Sequence, residues 1–448
     1  MSFSKILYII LALLILLFMI TVHEFGHYIV GKIFKFKINE FAIGMGPKIF
    51  RKQNKKTGEW FSIRALPLGG YCAFEGEDES SEVEGSFNSK EPYKRILVLL
   101  AGATMNLIFG ILILMLSVGI YGQLMIETYD IVSDSVYQEY SLANDDIILK
   151  IEGKNIYMAN NISTILDGKK KGDIVSVTVK DGKTNKEVVK QVKLRNDVKV
   201  DNISTNMTAF ESLGIATIIR IDEVSSNSAF GKNWYFNKII VSDSEVIRIL
   251  TIQDLVNYLK TCNEGDTISL EMLNDERNTT LVDIIIPINL TDLDNDRVLN
   301  AIGVKSTTKL LKYSTAKVRV GFFDTIARGF EYSKNIAGTI FTTIGQLLTG
   351  KLGLNAVGGP ITTIKVTANA ISTGGFNYFL EIAGFIGINL AVFNLLPIPA
   401  LDGSRVIFCL IEWIRKKPVN KNIEGAIHGI GLFLLLGFCV LVEILQLF

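Results

Sequence analysis

The sequence predicts a polytopic α-helical membrane protein with four transmembrane helices, a membrane-associated β-rich loop and two β-rich domains outside the membrane. Three observations carry that prediction. The 448 residues are 48% hydrophobic, yet the hydropathy is uneven, with apolar runs at both ends and a polar block between them. Four of the runs are long enough to cross a bilayer, which needs about 20 residues. Lysine and arginine crowd two of the connecting segments, which fixes an orientation. The formal net charge of +1 gives no sign of a nucleic-acid partner, and none is expected.

The first run, from Ile6 to about Val30, is too long for a secretory leader and lacks a small-residue cleavage site. Residues 1–35 are therefore read as a retained helix. The segment 36–95 carries Lys32, Lys35, Lys37, Lys48, Arg51, Lys52, Lys55 and Lys56 on or beside it, so it faces the cytoplasm. It alternates like a sheet, with "RKQNKKTG" suited to a turn. Its "FAIGMGP" and "PLGGY" glycines allow close backbone approach. The second span, 96–121, contains no charge.

Residues 122–215 and 216–305 read as two copies of one module. "NDDIILKIEGKNI" is patterned like "NKIIVSDSEVI", and "GDIVSVTV" like "GDTISLEM". The order strand, strand, helix, Gly-Asp strand is that of a circularly permuted PDZ domain. Residues 306–375 are expected to hold an amphipathic interfacial helix, from about Val320, and a Gly-rich loop ending at Pro360. The third span is placed at 376–403, a cytoplasmic loop at 404–424, and the fourth span at 425–448. Both termini and both modules then lie outside. Cys72, Cys262, Cys409 and Cys439 are too scattered for a disulfide framework, and none is expected.

The chemistry concentrates in "TVHEFGHYIV", residues 21–30. His-Glu-x-x-His on a helix puts two imidazoles on one face, one turn apart. That spacing suits two zinc ligands, with Glu24 beside them as general base. Ionisable groups at membrane depth cost about 2.5–3.5 kcal/mol each on insertion scales, so His23, Glu24 and His27 need compensation there. Zinc supplies it by taking the imidazole lone pairs. A catalytic zinc takes a third protein ligand and keeps an open position. Asp402, in "NLLPIPALDGSR", is the candidate. Spans one and three both run from outside to inside, so their C-terminal ends meet near the cytoplasmic face. Pro397 and Pro399 break the helix just before Asp402, and broken backbone at that depth implies protein burial or a wet cavity. Asn394 is a candidate for binding the substrate backbone or the developing oxyanion, with a packing contact as the alternative. Asn106 is read as helix-packing glue and His428 as a packing or interfacial residue.

These residues resemble the site-2 protease family of intramembrane zinc metalloproteases, most closely its bacterial branch that cleaves anti-sigma factors. The resemblance spans nearly the whole chain. It rests on His-Glu-x-x-His at 23–27 and Asn-x-x-Pro-x-Pro-x-Leu-Asp-Gly at 394–403. A third family pattern, Ala-Gly-Pro followed by Asn, is represented by "AGATMN" at 101–106, with alanine in place of proline. The resemblance implies one catalytic zinc on His23, His27 and Asp402, tandem PDZ domains and a membrane-reentrant β-loop. It implies location in the bacterial inner membrane. The implied substrates are single-span membrane proteins already trimmed by another protease, such as anti-sigma factors, and leftover signal peptides. The β-loop near Gly44 and Gly46 is expected to clamp an unwound substrate by strand addition. A non-catalytic adaptor presenting PDZ-like modules is the rival reading, and retention of Glu24 and all three ligands argues against it.

Overall fold

The computed structural model describes the chain apart from residues 1–2, 78–82, 129–130, 132–138, 158–159, 200–204, 243–244, 250–251, 275–277, 312, 351, 355–356 and 447–448. It divides into two units, Met1–Gly122 with Arg319–Phe448, and Gln123–Val318.

The first unit begins with α1 (Phe3–Ile33), one continuous helix of 31 residues, about 46 Å long. Its apolar residues occupy every face, as in a helix surrounded by lipid and protein. The chain then folds into β1 (Ile38–Gln53) and β2 (Trp60–Phe74). Each strand is used twice. Residues 38–43 pair antiparallel with 70–74, residues 48–53 pair antiparallel with 60–64, and residues 40–43 also pair with 60–63. The lateral order is therefore 70–74, 38–43, 60–63, 48–53. Gly44 and Gly46 make the bend between the halves of β1, with φ of +81° and +82°, a region that disfavours side chains. Among the described residues no strand pairs with the outer edge of 70–74.

An apolar cluster of Phe36, Phe74, Phe87, Val98 and Leu99 ties this sheet to α2 (Pro92–Tyr121). At the far end, Glu59 accepts from Lys32 and from Tyr28. Burial works to raise the pKa of Glu59, but those donors outweigh it and hold the carboxyl below its usual range. Glu40 is held low in the same way, burial being overcome by Ser62 and Arg64.

The second unit carries β3 (Gln123–Thr128), β4 (Ile147–Ile151), β5 (Lys154–Asn155), α3 (Asn160–Leu166), β6 (Ile174–Lys180), β7 (Glu187–Lys193) and α4 (Thr205–Ser212). There follow β8 (Thr217–Val224), β9 (Tyr235–Ser242), β10 (Glu245–Arg248), α5 (Ile252–Leu259), β11 (Thr267–Leu273), β12 (Thr279–Ile285), α6 (Asn295–Ala301), β13 (Val304–Leu311) and β14 (Tyr313–Val318). The two sheets have one topology. Their orders are β14-β3-β4-β6-β7 and β13-β8-β9-β11-β12, with β5 and β10 as hairpin partners of β4 and β9. The strands β6 and β11, which directly follow the repeated Gly-Asp pairs, alternate buried and partly exposed residues.

One boundary differs from the expectation. The first module does not close within 122–215, because β3 takes its edge partner from β14, with Tyr313 opposite Thr128 and Val318 opposite Gln123. The second module is thus inserted into the first. The expected 306–375 segment begins inside these strands for that reason, since an unpaired β3 edge would leave its backbone groups unsatisfied.

The chain re-enters the first unit as α7 (Phe322–Leu348), α8 (Pro360–Leu395), α9 (Asp402–Arg415) and α10 (Lys421–Leu445). The amphipathic helix is α7. It buries Gly329, Ser333, Ile336 and Ile340 while leaving Phe322, Phe323 and Phe341 exposed. Of the Gly-rich segment that follows, residues 351 and 355–356 lie outside the described residues. Four helices are long and apolar enough to cross a membrane: Lys5–Ile33, Pro92–Tyr121, Pro360–Leu395 and Lys421–Leu445.

One of these departs clearly from its expected span. The third starts at Pro360, not 376, and bends at Gly375 (φ 63°, ψ −149°). It also stops at Leu395, so Asp402 belongs to a separate helix, α9, inside what was expected to be span end and loop. Pro397 and Pro399 force this, because each lacks an amide hydrogen and pushes its predecessor toward extended backbone. Leu396 is extended (φ −67°, ψ 147°) and Ala400 is left-handed (φ 79°). Small residues let the helices close on one another. A Cβ on Gly26 would meet the Ala101 carbonyl oxygen at 2.4 Å, and one on Gly110 the Gly384 carbonyl oxygen at 3.0 Å.

Candidate metal centre

Helix α1 carries His23 and His27 on one face, and both are buried. Helix α9 brings Asp402 to them from its first turn, where the helix dipole favours a carboxylate. The three donor atoms converge. His23 Nε2 lies 3.1 Å from His27 Nε2 and 3.0 Å from Asp402 Oδ2, and His27 Nε2 lies 3.4 Å from the same oxygen. His27 Nδ1 is 2.8 Å from the carbonyl oxygen of Val98. A carbonyl only accepts, so Nδ1 holds the proton and Nε2 presents its lone pair.

The residues fit a zinc ion. Tetrahedral zinc with bonds of 2.0–2.2 Å separates its ligand atoms by about 3.3 Å, which matches the three distances. Asp402 Oδ2 is buried and has no hydrogen-bond partner in the protein. Two imidazole nitrogens and a carboxylate oxygen that converge in this way suit a cation. Across the site, Gly102 on α2 leaves space that a side chain would fill. A Cβ there would lie 2.5 Å from His27 Nε2 and 2.7 Å from His23 Cε1.

Glu24 is half-buried on the adjoining face of α1. It lies against the sheet segment 70–74, where a Cβ on Gly70 would come 3.5 Å from Glu24 Cγ. The strand that carries the free edge therefore packs beside the candidate base. On that strand, burial first, and then the Glu24 carboxylate, push the Cys72 thiol up.

Other sequence candidates take different places. Asn394 directs its amide to His23, with Nδ2 3.4 Å from Nδ1. Gly44 and Gly46 sit at the bend of β1, backed by Leu66 and, at Gly44, also by the Arg64 carbonyl. The glycine against Glu24 is Gly70. His428, read from sequence as a packing residue, accepts from the Ala400 amide at 3.1 Å and so braces the left-handed turn before Asp402. Gly403 packs against the end of α8, where a Cβ would meet the Leu396 carbonyl oxygen at 2.3 Å. Sequence reasoning marked the segments of Gly70 and Gly102, through "PLGGY" and "AGATMN", without assigning either glycine a role, and it overlooked the Val98 carbonyl.

The sequence pattern of peptidase family M50 matches residues 11–438. The chain is 29% identical to a Fusobacterium nucleatum protein named as a candidate zinc metalloprotease, over 97% of this chain and 96% of that one. It is 28% identical to the regulator of sigma E protease of Haemophilus influenzae, over 94% of each. It is 26% identical to the zinc metalloprotease RasP of Bacillus licheniformis, over 92% of each. With a family match across nearly its whole length and a three-donor centre that suits zinc, the chain belongs to peptidase family M50 and is a zinc metalloprotease of the site-2 type.

Proposed function

We propose that this enzyme hydrolyses peptide bonds inside the transmembrane segments of single-span membrane proteins that another protease has already trimmed. Anti-sigma factors are the substrate class that the sigma E regulator's name suggests, and leftover signal peptides are a second. The observation that carries the reading is the convergence of His23, His27 and Asp402 beside Glu24, on helices of membrane-crossing length.

His23, His27 and Asp402 would hold zinc, which when bound would supply Lewis acidity toward water and a peptide carbonyl. Glu24 removes the proton from the attacking water and returns it to the leaving amine. The free edge of residues 70–74 offers backbone donors and acceptors to a substrate that has lost its helical hydrogen bonds, as strand addition requires. Asn394 serves the substrate backbone or the developing oxyanion. The paired sheets of the second unit are circularly permuted PDZ domains that act as a size filter, admitting substrates whose outer domain is gone.

The lysine-rich segments 31–95 and 405–421 set the orientation. The enzyme lies in the bacterial plasma membrane, with four spans, both termini and the second unit outside, and the metal centre near the cytoplasmic face. The test is cleavage of a single-span substrate by purified protein in detergent or nanodiscs. Cleavage within the span that stops with a zinc chelator and returns with zinc supports the reading. Cleavage confined to segments outside the span discards it.

A further inference from the structure

Helix α2 faces the two histidines with three residues at four-residue spacing, Val98, Gly102 and Asn106, which lie on one helix face. Gly102 makes the room for both rings. Val98 accepts the Nδ1 proton of His27. At the other end of this row, Asn106 Nδ2 stands 3.5 Å from Nδ1 of His23. Resting on the reading of His23 as a zinc ligand through Nε2, we propose that Asn106 is a positioning residue that accepts the Nδ1 proton of His23 through its side-chain oxygen. It would thereby fix the tautomer of the first ligand, as the Val98 carbonyl fixes that of the second.

The argument is one of proton counting. A neutral imidazole carries one proton, and a ring that offers Nε2 to a metal carries it on Nδ1. That N–H needs an acceptor. Two amides reach it, Asn106 at 3.5 Å and Asn394 at 3.4 Å, and each is oriented with its NH2 group toward the ring. Donor then meets donor. The oxygen and nitrogen of an asparagine amide exchange places by a half-turn, and the assignment follows the hydrogen-bond network. Asn106 is fully buried and its Oδ1 has no partner. Turning its amide pairs the orphaned oxygen with the ring N–H. Asn394 is half-exposed, so its amide has no such need and remains available to a substrate. Outer partners of this kind typically govern metal affinity by about 10–100-fold.

The experiment measures zinc affinity by chelator competition, with the cobalt-substituted absorption spectrum as a second readout, in four variants of the full-length protein. Asn106→Leu keeps the volume and removes the acceptor, and zinc affinity should fall at least about tenfold. Asn106→Asp keeps an acceptor and should recover most of that loss, with a cobalt spectrum close to the parent's. Asn394→Ala should leave zinc affinity within about twofold of the parent, because its amide is not the required acceptor. His23→Ala tests the underlying ligand assignment. If His23→Ala binds zinc as the parent does, the ligand assignment itself fails. If His23→Ala loses zinc and Asn106→Leu does not, only the role of Asn106 is overturned. It is overturned equally if Asn106→Asp is as weak as Asn106→Leu, the result expected of a packing residue, or if Asn394→Ala carries the loss instead.

Discussion

Gly102 leaves the space in which His27 turns Nε2 toward His23 and Asp402, since a Cβ at Gly102 would stand only 2.5 Å from that nitrogen. Alanine suits a helix better than glycine by about 1 kcal/mol, so Gly102→Ala should not unfold α2. It should push the imidazole off its donor position. The expected outcome is a loss of zinc affinity of about tenfold or more, with helical content unchanged, measured by metal analysis and circular dichroism on the same sample. Parent-level zinc binding in Gly102→Ala would mean that the rings do not need this space.

Glu24 is not among the three converging donors and lies against the strand at Gly70. Glu24→Gln should retain zinc and lose turnover by about 10²–10⁴-fold, the range of a general base. Metal content and cleavage rate must separate in this variant. Turnover at the parent rate would remove Glu24 from the mechanism.

Asp402 opens α9, is only partly exposed, and turns its carboxylate to the two imidazoles. Asp402→Ala should lose zinc strongly while costing the fold no more than the helix-terminus contribution of about 0.3–1 kcal/mol. Zinc titration and thermal unfolding of the metal-free protein report the two quantities separately. Unchanged zinc stoichiometry and affinity would exclude Asp402 as a ligand.

The strands that begin and end the second unit lie side by side, Gln123 opposite Val318, so a short Gly-Ser linker can replace residues 123–318. The filter reading expects this deletion to cleave an untrimmed substrate that the intact enzyme spares. Peptide capture by the modules instead predicts slower cleavage of every substrate with no gain on the untrimmed one, and that result would discard the filter.

Much of the architecture was legible because the bilayer constrains it so simply. A helix that must be apolar on all faces for ~20 residues is visible as composition, and α1 and α2 needed nothing more. The internal repeat was visible in β4–β5 and β9–β10 and in the Gly-Asp strands, because alternation with period two leaves a mark in the order of residues. The start of α8 was not visible. Its first half mixes Thr, Lys and Ser with apolar residues, and the glycine pair at Gly374 and Gly375 reads as a boundary when it is a bend inside one helix. The pairing of β14 with β3 was invisible for another reason. It joins residues nearly two hundred positions apart, and "YSTAKV" has no pattern of its own.

By itself the sequence determined which groups can do the chemistry. Two histidines and a glutamate at helical spacing, and an aspartate after a proline-broken span, were each identifiable from residue type and position. Only the tertiary structure decided how they meet. It brought three donor atoms within 3.4 Å of one another, set Gly70 against Glu24, and ran the row Val98–Gly102–Asn106 behind the histidines. The reason is that ligand identity is a property of single side chains, whereas tautomer, room and approach depend on which backbone passes behind them. That backbone belongs to a different helix, docked through glycines whose contribution is the absence of a side chain.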